Sequence, residues 1–538
     1  MFRRKVRRQI FLCTKSNLYF KPMKTKTGSF AEKSVVRKVI AASSVGTMIE
    51  WYDFYIFGML AKTISTQFFP EGNPTAALLS TLAIFAAGFI VRPFGALVFG
   101  RLGDLVGRKY TFLLTLVLMG GSTFLIGCVP GYKSIGIAAP IIVLLLRLIQ
   151  GLALGGEYGG AATYVAEHSP AEKRGFYTSW IQTTATLGLF VALGIIMLVK
   201  LNMSDASFNA EWGGWRYPFW VSVVLVGISI YIRMKMSESP MFSKLKAEGK
   251  TSLNPITESF RHKANFKMVL LALFGAVMGQ GVVWYTGQFY AQNFLETKCN
   301  LEFEQSRTIM LWAIACATPF FLFWGWLSDK IGRKWIMMAG MLLAILTYRP
   351  IFSTFLSDTD SGKWKNGQTT FIKEEIEKKV NDGDTILKIT SLFKTNNGIK
   401  YTNVLVDTIK AGTSTEEQVI KANLNSADLN KHLPPALFWK FIGLVFILIL
   451  YVTMVYGPIA AFLVEMFPTK IRYTSMSLPY HIGNGVFGGL VPFIGLLLTT
   501  TYPADPLVGL WYPIGVALLC LIIGSLYLEN KIDKNVMD

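Results

Sequence analysis

Gly100-Arg101-Leu102-Gly103-Asp104-Leu105-Val106-Gly107-Arg108-Lys109 is answered 225 positions later (325 − 100) by Gly325-Trp326-Leu327-Ser328-Asp329-Lys330-Ile331-Gly332-Arg333-Lys334. Both copies read G-x-L-x-D-x-x-G-R-K, and each lies between two long apolar runs. Glycines let two helix ends approach, the leucine packs, and an Asp–Arg pair suits a water interface. A repeat of this kind on helices of membrane length marks a chain built from two related halves. Read alone, the same residues also fit a tight charged turn with no switching role.

A second repeat confirms the two halves. Tyr158-Gly159-x-x-Ala162-x4-Glu167-x-x-Pro170-x3-Arg174 recurs as Tyr456-Gly457-x-x-Ala460-x4-Glu465-x-x-Pro468-x3-Arg472, at an offset of 298 (456 − 158). Its ends read as structural: Pro stops a helix, while Glu167, Arg174, Glu465 and Arg472 can pair at the membrane rim. The two offsets differ by 73 residues (298 − 225), so the second half carries an insertion of about that size. The polar stretch 357–435 fits, with eleven lysines and eleven acids and therefore no net charge. Within it Phe371–Val380 reads as a short helix ended by Asn381-Asp382-Gly383, Tyr401–Val406 as a strand, and Ser414-x-x-Glu417 as a capping box opening another helix. The expectation is a small ordered α+β unit.

Composition sets the medium. Of 538 residues 52% are hydrophobic and 16% charged, with a mean hydropathy of +0.41; soluble domains carry about 25% charged residues. Twelve apolar runs of spanning length lie near 39–61, 76–100, 110–130, 137–165, 175–200, 216–233, 267–294, 307–327, 334–356, 437–464, 472–500 and 508–528. The expected fold is an all-α membrane protein of twelve transmembrane helices in two pseudo-symmetric six-helix bundles. Its parts are a basic tail 1–38, bundles 39–234 and 267–528, a central loop 235–266, the insertion 357–435 and a short tail 529–538.

The net charge of +20 would in a soluble protein point to nucleic acid. Here it follows the positive-inside rule. Residues 1–38 hold twelve Lys/Arg against one acid, and 235–267 hold seven against three. The short loops on the other side hold five: Lys62, Lys133, Lys200, Arg216 and Lys298. Both termini, the central loop and both motif loops are therefore expected inside, and the insertion outside. The tail lacks the apolar core of a cleavable signal, and Met23 offers an alternative start. Five scattered cysteines fit neither a disulfide framework nor a metal site. No Walker A, H-E-x-x-H or G-x-S-x-G sequence occurs, and no catalytic nucleophile–base set is found. Gly483-x-Gly485-x-x-Gly488 lacks the βαβ context of a dinucleotide site. His168 and His481 read as packing or interface residues.

Ionisable residues inside the spans mark the working centre. Gly46, Glu50, Asp53 and Phe57 share one face of the first span. An Asp at mid-helix costs about 2.5–3.5 kcal/mol on insertion scales, so such residues face a cavity or else lie shallow and cap a helix end. Arg92, followed by Pro93, lies roughly 12 Å inward of Gly100 at 1.5 Å per residue, too deep for simple snorkelling. Arg147, Gln150, Leu154 and Glu157 share one side of the fourth span. Buried arginines want carboxylates, and Glu50, Asp53 and Glu157 are the available ones. Gly151, Gly155 and Gly159 allow close helix packing. In the seventh span Gln280, Trp284 and Gln288 fall four apart with Tyr285 beside them, forming either a binding wall for a cationic or zwitterionic group or packing glue.

These motifs resemble those of the major facilitator superfamily, with Leu105 replacing a usual basic residue. Gly46-Thr47-x-Ile49-Glu50-Trp51-Tyr52-Asp53-Phe54, Arg92-Pro93-Phe94-Gly95, the Arg147–Glu157 run and Glu465-Met466-Phe467-Pro468-Thr469-Lys470-Ile471-Arg472-Tyr473 are similar to its bacterial metabolite:proton symporters, which include proline/betaine, α-ketoglutarate and shikimate carriers. Arg349-Pro350 departs from that pattern. The resemblance implies a monomeric, multi-pass protein of the bacterial inner membrane. It would have no cofactor or metal and would use the proton gradient to move a small organic acid or zwitterion by alternating access. Glu50, Asp53 and Glu157 would couple the proton, and Arg92, Arg147, Gln150, Gln280, Trp284, Tyr285 and Gln288 would bind substrate. Gly100, Asp104, Gly107 and Arg108, with Gly325, Asp329, Gly332 and Arg333, would latch the inner side through exposed pairs of about 1 kcal/mol. A proton-independent facilitator and a sensor built on the insertion are the rival readings.

Overall fold

The structure, a computed structural model, describes residues 28–70, 72–106, 108–156, 158–234, 261, 263–360, 369–381, 384–395, 400–409, 430–467 and 472–530. Glu157, Gly107, the first 27 residues, most of the central loop, 410–429 with Ser414 and Glu417, and the last eight residues lie outside them. So do the side chains of Gly100, Asp104, Arg108 and Glu167.

The first half runs α1 Gly28–Met59, α2 Ala61–Phe68, α3 Pro74–Ile90, α4 Arg92–Val106, α5 Arg108–Cys128, α6 Ala138–Gly155, α7 Tyr158–His168, α8 Arg174–Leu201 and α9 Tyr217–Met234. The second runs α10 Lys263–Ala272, α11 Met278–Tyr285, α12 Ala291–Thr297, α13 Phe303–Ala317, α14 Pro319–Ile331 and α15 Lys334–Asp358. It continues, after the insertion, with α16 Pro435–Tyr456, α17 Ile459–Met466, α18 Arg472–His481, α19 Val491–Thr501 and α20 Trp511–Tyr527. Helix occupies all twelve apolar runs, and among the described residues ten helices are long and apolar enough to cross a membrane. Ring-rich apolar side chains such as Phe54, Phe85, Phe289 and Phe352 fill the core, while Phe94, Leu145, Val224 and Leu526 face outward, as lipid-facing residues would.

Glycine sets the closest approaches. A Cβ on Gly95 would strike the Leu152 carbonyl, and one on Gly155 the Arg92 carbonyl, so the broken span α3–α4 lies backbone to backbone on α6. The break falls at Val91, before Arg92-Pro93, where proline supplies no amide donor. Gly332 ends α14 at φ 95°, a conformation that side chains resist, which explains the glycine in the motif.

Three π-helical turns interrupt the second half, at Leu273–Val277, Thr286–Tyr290 and Ile482–Gly488. Gln280 and Trp284 keep their four-residue spacing on α11, whereas the turn at Thr286–Tyr290 rotates Gln288 off that line; such turns mark functional sites often.

The described part of the insertion is a four-stranded antiparallel sheet in the order β1-β2-β3-β4: β1 Thr369–Asn381, β2 Asp384–Thr395, β3 Lys400–Ile409 and β4 Asn430–His432. The helix expected over Phe371–Val380 is therefore strand β1. Its Glu/Lys-rich sequence favours a helix, but so short a helix is marginal alone, whereas β1 pairs with β2 along its whole length. Asn381 pairs with Asp384, so Asn381 closes a strand pair and does not end a helix; Asp382 and Gly383 lie outside the described residues. The strand expected at Tyr401–Val406 is present within β3.

Candidate substrate site and its two gates

Arg92 and Arg147 are both fully buried at the centre of the seam. Arg92 faces rings: its guanidinium carbon lies 4.1 Å from the centre of Phe89, 4.3 Å from Phe54 and 5.5 Å from Trp51. Arg147 lies 4.0 Å from Phe54 and 4.6 Å from Phe57. Among the described residues no carboxylate is within ion-pair distance of either, and the Nε and Nη2 groups of both have no hydrogen-bond partner. A buried ion without a counter-charge costs several kcal/mol, and a desolvated cation–π contact returns about 2. The remainder is available to an incoming anion.

The two guanidiniums differ. Arg147 Nη1 donates to the Phe54 carbonyl (3.4 Å) and to Gln150 Oε1. Gln150 in turn donates to the Asp53 carbonyl (2.9 Å) and to Thr123 (2.8 Å). Arg147 and Gln150 thus brace α1, and the amide of Gln150 is committed within the first half. Arg92 is the freer group.

Rings from both halves close over this centre. Tyr55 stacks between Trp51 (5.0 Å) and Trp284 (5.2 Å), and Phe289 lies 5.2 Å from Tyr55 and 5.3 Å from Phe85. Tyr285 stands edge-on to Phe89 at 5.0 Å. Trp284 Nε1 and both ends of the Gln288 amide are buried without partners. His481 is buried as well, within electrostatic reach of Arg92 and with the Gly155 backbone against its ring. Gln280 is spent instead on a reciprocal pair with Asn484 (3.0 and 2.9 Å) that ties α11 to the π turn after α18.

Asp53 does not pair as expected. Asp53 is buried and faces Ser222 on α9, not a guanidinium. Three residues on a helix turn 300°, so Asp53 sits about 60° off Glu50 and addresses a different neighbour. Glu50 is buried on α1, and Glu157 is outside the described residues.

At the Asp329 end four charged side chains join the halves. Asp329 accepts from the amides of Gly175 (2.7 Å) and Phe176 (2.9 Å), at the N-terminus of α8, where a carboxylate is favoured. Arg333 holds Asp329 (3.0 Å) and Glu465 (2.8 and 2.9 Å), and Glu465 also receives Arg174 (3.2 Å). Gly325 packs against Gly175 and Ser179 with no room for a side chain. One expectation changes. The latch is buried, with Asp329 6% and Arg333 1% exposed, so it is not an exposed pair of about 1 kcal/mol. Of the Glu and Arg residues that end the second repeat, Glu465 takes Arg174 of the other half, and Arg472 donates to the Phe467 carbonyl (3.0 Å).

The opposite end closes differently. Arg307, buried on α13, pairs with Glu296 on α12 and reaches across the seam to the Met59 carbonyl (2.5 Å), at the break between α1 and α2. Gln292 and Ser306 also bond Glu296. Beside them a cleft of about 360 Å³, including its mouth, is lined by Gly58, Lys62, Phe85, Phe289, Asn293 and Glu296.

Comparison with known proteins decides the family. The sugar (and other) transporter profile matches residues 38–372. The inner membrane metabolite transport protein YhjE of Escherichia coli K12 is 32% identical over 494 residues, covering 90% of this chain and 93% of its own. The chain belongs to the sugar (and other) transporter family of the major facilitator superfamily. The proline/betaine transporter of the same organism is 33% identical over 340 residues, 62% of this chain and 67% of its own. The α-ketoglutarate permease is 36% identical over 315 residues, 58% and 71%. In structure the transporter is similar to the proton:xylose symporter XylE bound to 6-bromo-6-deoxy-D-glucose, with a TM-score of 0.65 at 14% identity over 93% of this chain and 97% of that one. This is a multi-pass membrane transporter and not an enzyme.

Sequence reasoning missed three features of this transporter. Glu296 and Arg307 sit near helix ends, where charged residues read as interface anchors, and nothing in the pattern flags their pairing. The crossing of Arg174 to Glu465 needs the packing of α8 on α17. His481 read as a packing residue, yet its buried ring lies within the electrostatic reach of Arg92.

Proposed function

We propose that this transporter is a proton-coupled symporter that imports a small organic acid or zwitterionic metabolite by alternating access. The observation that carries the reading is Arg92: a buried guanidinium in the seam, with unspent donors, rings on its faces and, among the described residues, no acid beside it. A substrate carboxylate supplies the missing counter-charge and takes a bidentate pair. Arg147 adds field, and Trp284, Tyr285 and Gln288 offer ring faces and a free amide to the rest of the molecule. With both ends shut, the described conformation fits an occluded step between outward- and inward-open forms.

In this reading twelve helices span a bacterial inner membrane, both termini and the Asp329 end face the cytoplasm, and the sheet lies outside. The protein works as a monomer without cofactor or metal, on the proton gradient, with Glu50, Asp53 and Glu157 as the coupling acids. In proteoliposomes, Asp53→Asn and Glu50→Gln abolish uptake driven by a pH gradient and leave exchange of preloaded substrate intact. Gradient-driven uptake surviving both makes these carboxylates structural. That outcome leads to the second reading, a proton-independent facilitator, which the turn of Asp53 toward Ser222 favours.

A further inference from the structure

The helices that carry the Glu296–Arg307 pair form one hairpin, and the inserted sheet grips its tip. α12 ends at Thr297 and α13 begins at Phe303; between them Leu301 donates back to the Leu295 carbonyl (3.0 Å), and Asn300 adopts φ 54°, a conformation asparagine tolerates. On this tip lies β4. Leu301 and Lys431 form a parallel bridge, in which the Lys431 amide donates to the Asn300 carbonyl (2.8 Å) and the Glu302 amide to the Lys431 carbonyl (3.0 Å). The Leu433 amide donates to Gln305 Oε1 (2.7 Å), and Gln305 Nε2 returns a bond to the Leu433 carbonyl (2.9 Å). His432 meets Glu302 at 2.6 Å. Lys431 also donates to the Thr359 carbonyl at the end of α15 (2.6 Å). Lys431, Leu433 and Gln305 are all buried, so this is a packed joint and not a tether. β4 continues into the sheet through β3, with His432 opposite Lys400 and Lys431 opposite Tyr401. The match to the family profile ends at residue 372, inside β1, so the joint is built by a part of the chain beyond that match.

We infer that the inserted sheet is an effector element clamped to the gate at the Arg307 end, and that its position sets how readily that gate opens. The gate opens only if Arg307 leaves the Met59 carbonyl, which lies on the other half. Gln305 is two residues before Arg307 on the same helix, and Leu301 follows Glu296 by five. The tip bonds hold the two arms as a unit, so Arg307 and Glu296 move away from α1 together and carry β4 with them. A sheet held still resists that movement; a sheet released from the tip does not. By reciprocity, whatever binds the sheet in only one of its two positions changes the gate equilibrium by the same factor as the gate changes that binding.

The inference rests on reading the Arg307 end as a gate but not on any substrate or on proton coupling, and its test uses neither. Asn293→Cys, placed in the full chain where it lines the cleft, reports access through the rate of labelling by a membrane-impermeant maleimide, with the unsubstituted chain labelled in parallel as background. Three changes are made on it: Arg307→Met, Gln305→Ala, and replacement of 369–409 by a short Gly/Ser link. Arg307→Met raises the labelling rate if the end is a gate. Gln305→Ala, which removes two bonds to β4 and touches nothing across the seam, raises it on the order of tenfold. The link, which leaves β4 without β3, raises it as well. If Arg307→Met raises the rate while Gln305→Ala and the link both leave it unchanged, the sheet is a passenger and the inference is overturned. If Arg307→Met has no effect, the gate itself is absent and the inference falls with it, while the proposal for Arg92 stands. Should the link variant fail to fold, Gln305→Ala decides alone.

Discussion

The two ends of the seam are shut by different chemistry. At the Asp329 end Asp329, Arg333, Glu465 and Arg174 share partners, and a helix N-terminus takes the spare carboxylate. Opening that end strands several buried charges at once. At the Arg307 end, among the described residues, one guanidinium donates to one carbonyl across the seam, with Glu296 behind it, the rings of Phe85 and Phe289 below and Phe208 against Phe303 beside it. Opening it costs one charged hydrogen bond, about 1.5–3 kcal/mol, plus ring contacts. The first end is therefore the firmer lock and the second the readier door. A molecule built this way rests shut at the Asp329 end and samples the opening on the side of the sheet.

The comparison breaks most visibly at Glu465. Glu465→Gln leaves Arg333 and Arg174 without their shared acid, and loss of one partner of a buried pair costs about 3–5 kcal/mol. The expected outcome is a rise of about a hundredfold or more in labelling of a cysteine placed beside Ser179, together with loss of net uptake. A change below tenfold would make the two ends equal. Next comes Arg307→Met, which removes the bond to Met59 and orphans Glu296; labelling of Asn293→Cys should rise roughly ten- to a hundredfold. Gly58→Ala is smaller. Its Cβ would meet Phe289 at 2.6 Å and Phe85 at 2.8 Å, so the rings must shift at a cost of about 1–3 kcal/mol. Uptake should fall and labelling from the sheet side rise, whereas an unchanged rate would remove the rings from the gate.

The smallest effect is electrostatic. Glu211, in the loop before α9, accepts from Ser134 (2.5 Å) and the Gly131 amide (2.8 Å), and these bonds hold its carboxyl below the usual range. A depressed folded-state value means that the tie is present above the ordinary glutamate range, near 4.5, and is lost as pH falls through the lower folded-state value. Unfolding temperature measured from pH 6 to pH 3 should therefore drop slightly less in Glu211→Gln than in the unsubstituted chain.

The Asp329 end was legible because it is written twice. The repeat gave the motif and its helices, and the depth of Arg92 followed from its distance to the motif loop. What the repeat could not give was the partner. Arg174 lies in one copy and Glu465 in the other, and only the packing of α8 on α17 brings them together. Asp53 shows the same limit at one residue: periodicity places it on a face, but a helix inside a bundle has several neighbours, and the one Asp53 meets is Ser222 and not a guanidinium. The Arg307 end has no repeat to read. In the insertion, β1 carries helix-forming Glu and Lys, and its true state is fixed by β2, a partner that local propensity does not see.

The central claim is that Arg92 waits for a substrate carboxylate. Uptake of labelled proline, glycine betaine, α-ketoglutarate and shikimate into proteoliposomes, under an imposed pH gradient and with a protonophore control, tests it directly when run on the unsubstituted chain and on Arg92→Lys. The account predicts that at least one of these accumulates in the unsubstituted protein, collapses with the protonophore, and shows an apparent KM raised by about a hundredfold in Arg92→Lys, the size of a lost bidentate charged contact. Accumulation with an unchanged KM in that variant would contradict it.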